Sequence, residues 1–215
     1  MLRRGLALLL LALLGTFAHA QAAAPVPGVI HLASEDWEDY TAADGHGLAW
    51  VVVRKVFVPG GVKLDIRTVP YTRSIGLVQL KEVDALVGSY RDEAEHVLYP
   101  QSKFDSDHIY ALGLASSPPP TQATLGKYRL AWVRGYKYEE YLPNVRRFNQ
   151  VERRDGILAM LLHGRADFYI DALADAKYVH SQADDPSKFT LTPIAELPLY
   201  IGFADNEQGR GLMAV

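Results

Sequence analysis

Two helix-to-strand joints, Lys81-Glu82-Val83-Asp84 and Gly164-Arg165-Ala166-Asp167, stand at equivalent places in the chain, their aspartates 83 residues apart. The segments around them repeat one order. Val29-Ile30-His31-Leu32-Ala33 is an apolar run of strand length. Leu48 to Val58 follows the turn cluster Asp44-Gly45-His46-Gly47 and reads as a helix, although Val51, Val52 and Val53 also suit a strand. Val62, Leu64 and Ile66 alternate with Lys63, Asp65 and Arg67 at the strand period. Ile75, Leu77, Val78 and Leu80 fall on one helix face, and Val83 to Gly88 returns to strand. The second pass starts at Leu130-Ala131-Trp132-Val133. It runs through a short helix over Tyr138 to Leu142, a weaker strand over Val145 to Val151 and a helix over Ile157 to Leu162. It ends in the strand Asp167 to Ile170. An order of β-α-β-α-β, met twice, predicts an α/β protein of two lobes. Each lobe is a mainly parallel sheet flanked by helices, with right-handed crossovers.

The prolines place the lobes. Ser116-Ser117-Pro118-Pro119-Pro120 reads as a stiff, extended connector. Residues 28–115 are then the first lobe, 116–120 the hinge connector and 121–196 the second lobe. Residues 197–215, opening with Leu197-Pro198-Leu199-Tyr200-Ile201-Gly202-Phe203, return toward the first lobe. Two lobes joined by short connectors enclose a cleft that closes about a hinge.

The first twenty residues read as an address. Arg3 and Arg4 precede an apolar run from Gly5 to Phe17, and Ala18-His19-Ala20 fits a cleavage site. The run is short of the ~20 residues a bilayer span needs, so residues 1–20 are expected to be a cleaved signal peptide. Cleavage leaves 20 basic against 25 acidic side chains. That balance, with no long basic run, argues against a nucleic-acid surface. The chain has no cysteine, which excludes disulfides, thiolate metal sites, a Cys nucleophile and a lipid anchor on an N-terminal Cys. The expectation is an exported, periplasmic chain.

In open parallel sheets ligands bind beyond the carboxyl ends of the strands. That rule selects Ser34, Glu35, Trp37 and Tyr40 after the first strand, and Tyr71 and Arg73 after the second. It selects Ser89, Tyr90 and Arg91 after the third, then Arg134, Gly135 and Tyr136, then Asp171 in the second lobe. Aromatics supply stacking surface, arginine offers a fork to a carboxylate, and aspartate accepts from an ammonium. The binding residues expected are Trp37, Tyr40, Arg73, Tyr90, Arg91, Arg134, Tyr136 and Asp171, for a small polar solute with a negative group and an amine. Each has a plainer role open to it. Trp37 and Tyr40 also suit lobe packing and Arg73 a surface ion pair. Arg91, with Asp92, Glu93 and Glu95, suits a solvated charge cluster, and Asp171 suits a helix cap.

These segments resemble the bacterial extracellular solute-binding proteins of family 3, the amino-acid-type receptors of ABC importers. The likeness runs from about residue 29 to 204. It is carried by Trp37-x-x-Tyr40, Asp44-Gly45-His46-Gly47, Pro70-Tyr71-Thr72-Arg73 and Val83-Asp84-Ala85-Leu86-Val87-Gly88-Ser89-Tyr90-Arg91. In the second half it is carried by Leu125-Gly126-Lys127-Tyr128, Arg134-Gly135-Tyr136 and Gly164 through Asp171. The resemblance implies a two-lobed periplasmic-binding-protein fold of type II. It implies a monomer that captures its solute without catalysis, cofactor or metal and delivers it to an ABC permease of the inner membrane. It also implies that Asp171 holds the ligand's amino group.

Two departures stand out. Where the family carries an arginine for the ligand carboxylate, this chain has Ser89-Tyr90-Arg91-Asp92-Glu93-Ala94-Glu95, with Glu95 near the expected position. Arg91 and Arg73 are the substitutes on hand. The chain also ends, with Ala204 through Val215, where family members begin closing helices, so an uncovered, less stable first lobe is expected. Two other functions share the same fold. An enzyme of the small-acid dehydratase type would need a general acid or base from Glu35, His46, His108 or Asp171, and no H-E-x-x-H or G-x-S-x-G motif supports it. A ligand-sensing module for a membrane receptor would need the same closed lobe surfaces as a transport receptor.

Overall fold

A computed structural model describes residues 27–215; the expected signal peptide, residues 1–20, lies outside the described residues. Three parallel strands begin the first lobe: β1 (Val29–Ser34), β2 (Lys63–Thr68) and β3 (Ala85–Ser89), in the order β2-β1-β3. Ile30, Leu32 and Ala33 of β1 are fully buried, as a strand covered on both faces requires. Helix α1 (Leu48–Phe57) turns Ala49, Trp50, Val53 and Phe57 onto the sheet. Its valines sit in a helix because that apolar face has a sheet to bury against, which outweighs their strand preference. Helix α2 (Tyr71–Gln79) starts at Tyr71, straight after Pro70, a turn earlier than its apolar spacing marks. A short strand β4 (Val97–Leu98) completes this part.

The chain then enters the second sheet through β5 (Asp105–Leu114). Strands β6 (Leu130–Val133), β7 (Phe148–Val151) and β8 (Phe168–Ala172) are parallel in the order β8-β6-β7, and β5 runs antiparallel beside β8. Helices α3 (Tyr138–Tyr141), α4 (Ile157–Leu162) and α5 (Leu173–Ser181) connect them. The 16-residue β9 (Phe189–Ala204) belongs to both sheets. Its first part pairs with β5 as far as Leu199, and from Tyr200 it pairs with β3 and, at its end, with β4. The path is one continuous order, β2-β1-β3-β9-β5-β8-β6-β7.

This pairing moves the passage between lobes. Residues expected in the first lobe up to 115 include β5, which lies in the second sheet. The chain passes between the sheets at residues 99–104 and again at Leu199–Tyr200. The prolines 118–120 follow β5 and lead into a 3-10 turn at Gln122–Lys127. A proline run marks a stretch that is extended and lacks donors, and a loop on the rim of one lobe meets that description as well as a hinge does. Helix α6 (Glu207–Met213) follows β9, capped by Asn206, whose side chain accepts from Gly209 N at 2.7 Å. Its Leu212 is buried with Ile30, Trp50 and Phe203, so the last residues cover part of the first lobe.

Three apolar clusters hold the molecule. One lies around α1 in the first lobe and one around α4 and α5 in the second. The largest runs across both, joining Trp37, Tyr71 and Tyr90 of the first lobe to Trp132, Tyr136 and Tyr138 of the second. Among the described residues no helix is long and apolar enough to cross a membrane.

Candidate functional site

The seam between the lobes holds a narrow, half-open cleft. Its walls come from strand ends, as parallel-sheet geometry demands. Glu35 and Trp37 follow β1, and Tyr71 opens α2. Gly88 sits in β3, with Tyr90 and Glu93 just beyond it. Tyr136 and Tyr138 follow β6, while Asp171, Ala172 and Asp175 lie where β8 passes into α5. Asp107 reaches in from β5. Gly88, at φ +91°, lets the Trp37 ring lie against the strand: a Cβ there would stand 3.3 Å from its Cζ3.

Carboxylates dominate the polar lining. Glu93 is 3% exposed. Its Oε2 accepts from Ser89 Oγ at 2.9 Å, from Tyr90 N at 3.0 Å and from the Tyr71 hydroxyl. Its Oε1 has no partner, and neither has the indole N–H of Trp37. Burial pushes the Glu93 carboxyl above the usual range. Asp107 accepts from the Tyr90 hydroxyl at 2.6 Å, and burial, aided by the charges of Asp171 and Asp105, pushes it up to about 7. Glu35 faces the Tyr136 hydroxyl at 3.2 Å, and burial raises it to about 7 against the pull of Arg154.

Arg154, from the 3-10 turn before α4, is the cation of this region. Its Nε donates to Asp171 Oδ2 at 2.9 Å and its Nη2 to the Tyr136 hydroxyl at 2.7 Å, with Asp175 Oδ2 at 3.1 Å. Burial works against its charge, and the neighbouring Asp171 more than restores it, so its pKa stands above the ordinary value. Asp175 is pushed up to about 8 by burial and the Asp171 charge. Asp171, 0% exposed, also accepts from the Tyr169 hydroxyl and from Ala172 N. It does not cap α5, whose N-cap is Ala172.

The expected binding residues separate into two groups. Trp37, Tyr90, Tyr136 and Asp171 line the cleft. Tyr40 stacks on Trp37, ring centroids 4.2 Å apart, and faces a neighbouring depression beside His108 and Lys177. None of the three arginines lines the cleft. Arg73 is exposed, because two residues along a helix from the inward Tyr71 turns it about 200° away. Arg134 is exposed and pairs with Glu152 at 2.9 Å. Arg91 donates to the carbonyls of Pro100 and Gln101 and lies 4.4 Å over the Tyr200 ring, bracing the passage between sheets.

Several residues of the cleft and its surround were outside the sequence reading. Asp107 lies on a strand it did not mark. Glu93 sat within an apparent surface charge run; Asp92 and Glu95 are indeed exposed while Glu93 is buried. Arg154 and Asp175 carried no local signal, although an acid four residues after Asp171 was available to the eye. Of the acid-base candidates, Glu35 and Asp171 reach the cleft. His46 and His108 are exposed, beside Asp44 and Glu196. Among the described residues no group of three or more His, Asp or Glu is placed to hold a metal.

No protein-family model matches the chain, and no curated protein matches it significantly. Solved structures do. A histidine kinase sensor domain with similarity to periplasmic binding proteins is 15% identical, covers 86% of this chain and 89% of its own, and has a TM-score of 0.66. The substrate-binding protein of an amino-acid ABC transporter is 18% identical over 86% of this chain and 89% of its own, at 0.63. The arginine-bound form of a truncated ArgBP from T. maritima is 13% identical over 87% and 94%, at 0.62. The chain has the two-lobed α/β fold of the periplasmic binding proteins, with the cleft between its lobes.

Proposed function

We propose that this chain is an exported, monomeric solute-binding protein, a divergent relative of the family 3 receptors. It takes a small polar, amine-bearing solute between its lobes and presents the closed form to an ABC-type permease. The observation that carries this reading is the cleft itself. Aromatic and carboxylate side chains from both lobes line it. The lobes are already in contact across it. Tyr136 and Lys137 of the second lobe donate to the Glu35 carboxylate and the Glu93 carbonyl of the first, the latter at 3.1 Å. A solute touching both walls favours that closed form, because the open form gives it only one wall.

A second reading has its own support. The likeness to a histidine kinase sensor domain is as good as that to the transport receptors, which favours ligand sensing for a membrane partner. Both readings predict binding without chemical change. A thermal-shift series with amino acids, polyamines, dicarboxylates and aromatic acids tests them together. A ligand at about 100 times its dissociation constant adds roughly 2.7 kcal/mol, or about 5–11 °C for a chain of this size. A shift with the solute recovered intact supports the proposal. Recovery as product points to an enzyme, and a clean melt unmoved by every solute removes the solute-binding reading.

A further inference from the structure

The cleft is charged in a way that names a ligand class. Its lining holds five carboxyl groups and no basic side chain. The half-buried cation beside it, Arg154, is committed to Asp171, Asp175 and the Tyr136 hydroxyl. Lys137 spends its ammonium on the Glu93 carbonyl and lies 3.8 Å from Glu140. A ligand carboxylate entering here would find no free donor of positive charge and several like charges, which costs it dearly in a site of low dielectric.

One atom shows what is wanted. Three donors fix Glu93 through Oε2, and Oε1, on a side chain 3% exposed in the cleft wall, accepts from nothing. A buried carboxylate oxygen without a donor is costly, and a ligand N–H satisfies it. The rings of Trp37, Tyr71, Tyr90 and Tyr136 line the same cleft, and aromatic faces attract a cation. The unpartnered Trp37 N–H is met by a neutral acceptor such as a carbonyl, which adds no charge.

We propose that the cleft takes a small organic cation that carries no carboxylate, an alkylamine or alkylguanidine, with Glu93 Oε1 as its anchoring acceptor. This rests on the reading of the cleft as a solute site, and deepens it. The class differs from an amino acid by the loss of one charge, so matched pairs decide the matter.

The experiment is calorimetric titration of the purified chain at pH 8 with agmatine, argininamide and arginine, which share a guanidinium. Cadaverine and lysine form a second pair, and glutamine and glutamate serve as solutes without a side-chain cation. Agmatine or argininamide is expected to bind at least tenfold more tightly than arginine, and cadaverine than lysine. Glu93→Gln is expected to weaken the cation at least tenfold. The ligand comparison on the unaltered chain stands whether or not that variant folds. Arginine and lysine binding as tightly as their carboxylate-free partners overturns the proposal and leaves the solute-binding reading in place. Binding of glutamine or glutamate alone does the same. Binding of none of the seven overturns the proposal, and only failure of the wider thermal-shift series removes the reading beneath it.

Discussion

The hydroxyl of Tyr136 lies 3.2 Å from both carboxylate oxygens of Glu35, 101 residues away on the opposite lobe. The same hydroxyl accepts from Arg154 Nη2, so one oxygen ties the first lobe to the half-buried cation of the second. The seam around it is aromatic: Tyr136 meets Tyr71 and Tyr138 edge to face, with centroids 5.7 and 5.8 Å apart. Removing the hydroxyl alone therefore tests the polar part of the latch and keeps the apolar part. Tyr136→Phe leaves Glu35 and an Arg154 N–H each short of a partner and is expected to cost about 1–3 kcal/mol. Chemical denaturation measures it; an unchanged midpoint would mean the latch contributes nothing to the ligand-free protein.

Stability is expected to fall as pH rises. Glu35 and Asp107 titrate at about 7 in the folded chain and Asp175 at about 8, against ordinary values near 4 in the unfolded chain. The folded state holds protons that the unfolded state has released, so ΔG of unfolding declines between about pH 4 and pH 8. The lowered carboxyls of Asp167 and Asp185 act below that window. Melting without ligand should come several degrees higher at pH 5 than at pH 8.5, and a flat profile would contradict the crowding of carboxyls. A cationic solute reverses the trend, because it binds the ionised cleft.

Arg154 is expected to be indispensable to the fold of the second lobe. Arg154→Met strands Asp171, which has no exposure at all, beside Asp175 with no cation between them. Breaking a buried pair from one side costs about 3–5 kcal/mol. Adding Asp171→Asn to that variant should recover a good part of the loss, by removing the stranded charge. Asp171→Ala alone is likewise a folding variant, since it leaves Arg154 and Tyr169 underpaired; the sequence reading expected it to affect binding with little effect on folding. Urea titration of the three variants decides, and equal stability of Arg154→Met and the parent chain would sink the assignment.

At Gly135 the lobes approach closely. It has φ +94°, and a Cβ on it would fall 2.3 Å from Thr72 Cγ2 on the facing lobe. Gly135→Ala is expected to hold the lobes apart and weaken solute binding, with a backbone cost of about 1–3 kcal/mol in addition. Thr72→Ala in the same chain should restore the affinity and leave the backbone cost. Such a non-additive pair is the signature of a contact. Additive effects on affinity would mean that the lobes do not meet there when solute is bound.

The doubled β-α-β order, the fold class and the strand ends that line the cleft were legible in the sequence. Trp37, Tyr90 and Tyr136 were found by one rule, that ligands sit beyond the carboxyl ends of parallel strands. The antiparallel strands were less legible. β5 mixes Asp105, Asp107 and His108 into its apolar residues, and β9 contains Pro193, Pro198 and a change of partner at Leu199–Tyr200. A strand that serves two sheets has no single pattern of faces to read, and the place where the lobes join moved with it. The three arginines were chosen for what their side chains can bind. Each proved to point elsewhere, since a loop or first helical turn reverses direction within two residues.

What the sequence by itself determined is local: which runs are the parallel strands, which are helices, and which residues stand at strand ends. Those follow from apolar spacing and from proline and glycine, which act over a few residues. Tertiary structure alone decided the chemistry of the cleft. Glu35, Glu93, Asp107, Asp171 and Asp175 are scattered over 141 positions, and nothing in their neighbourhoods says that they face one another. Nor could the sequence say which cation answers them, because Arg154 was one of twenty basic residues following residue 20. Charge, unlike apolar spacing, acts through space, so its consequences appear only when the chain has closed on itself.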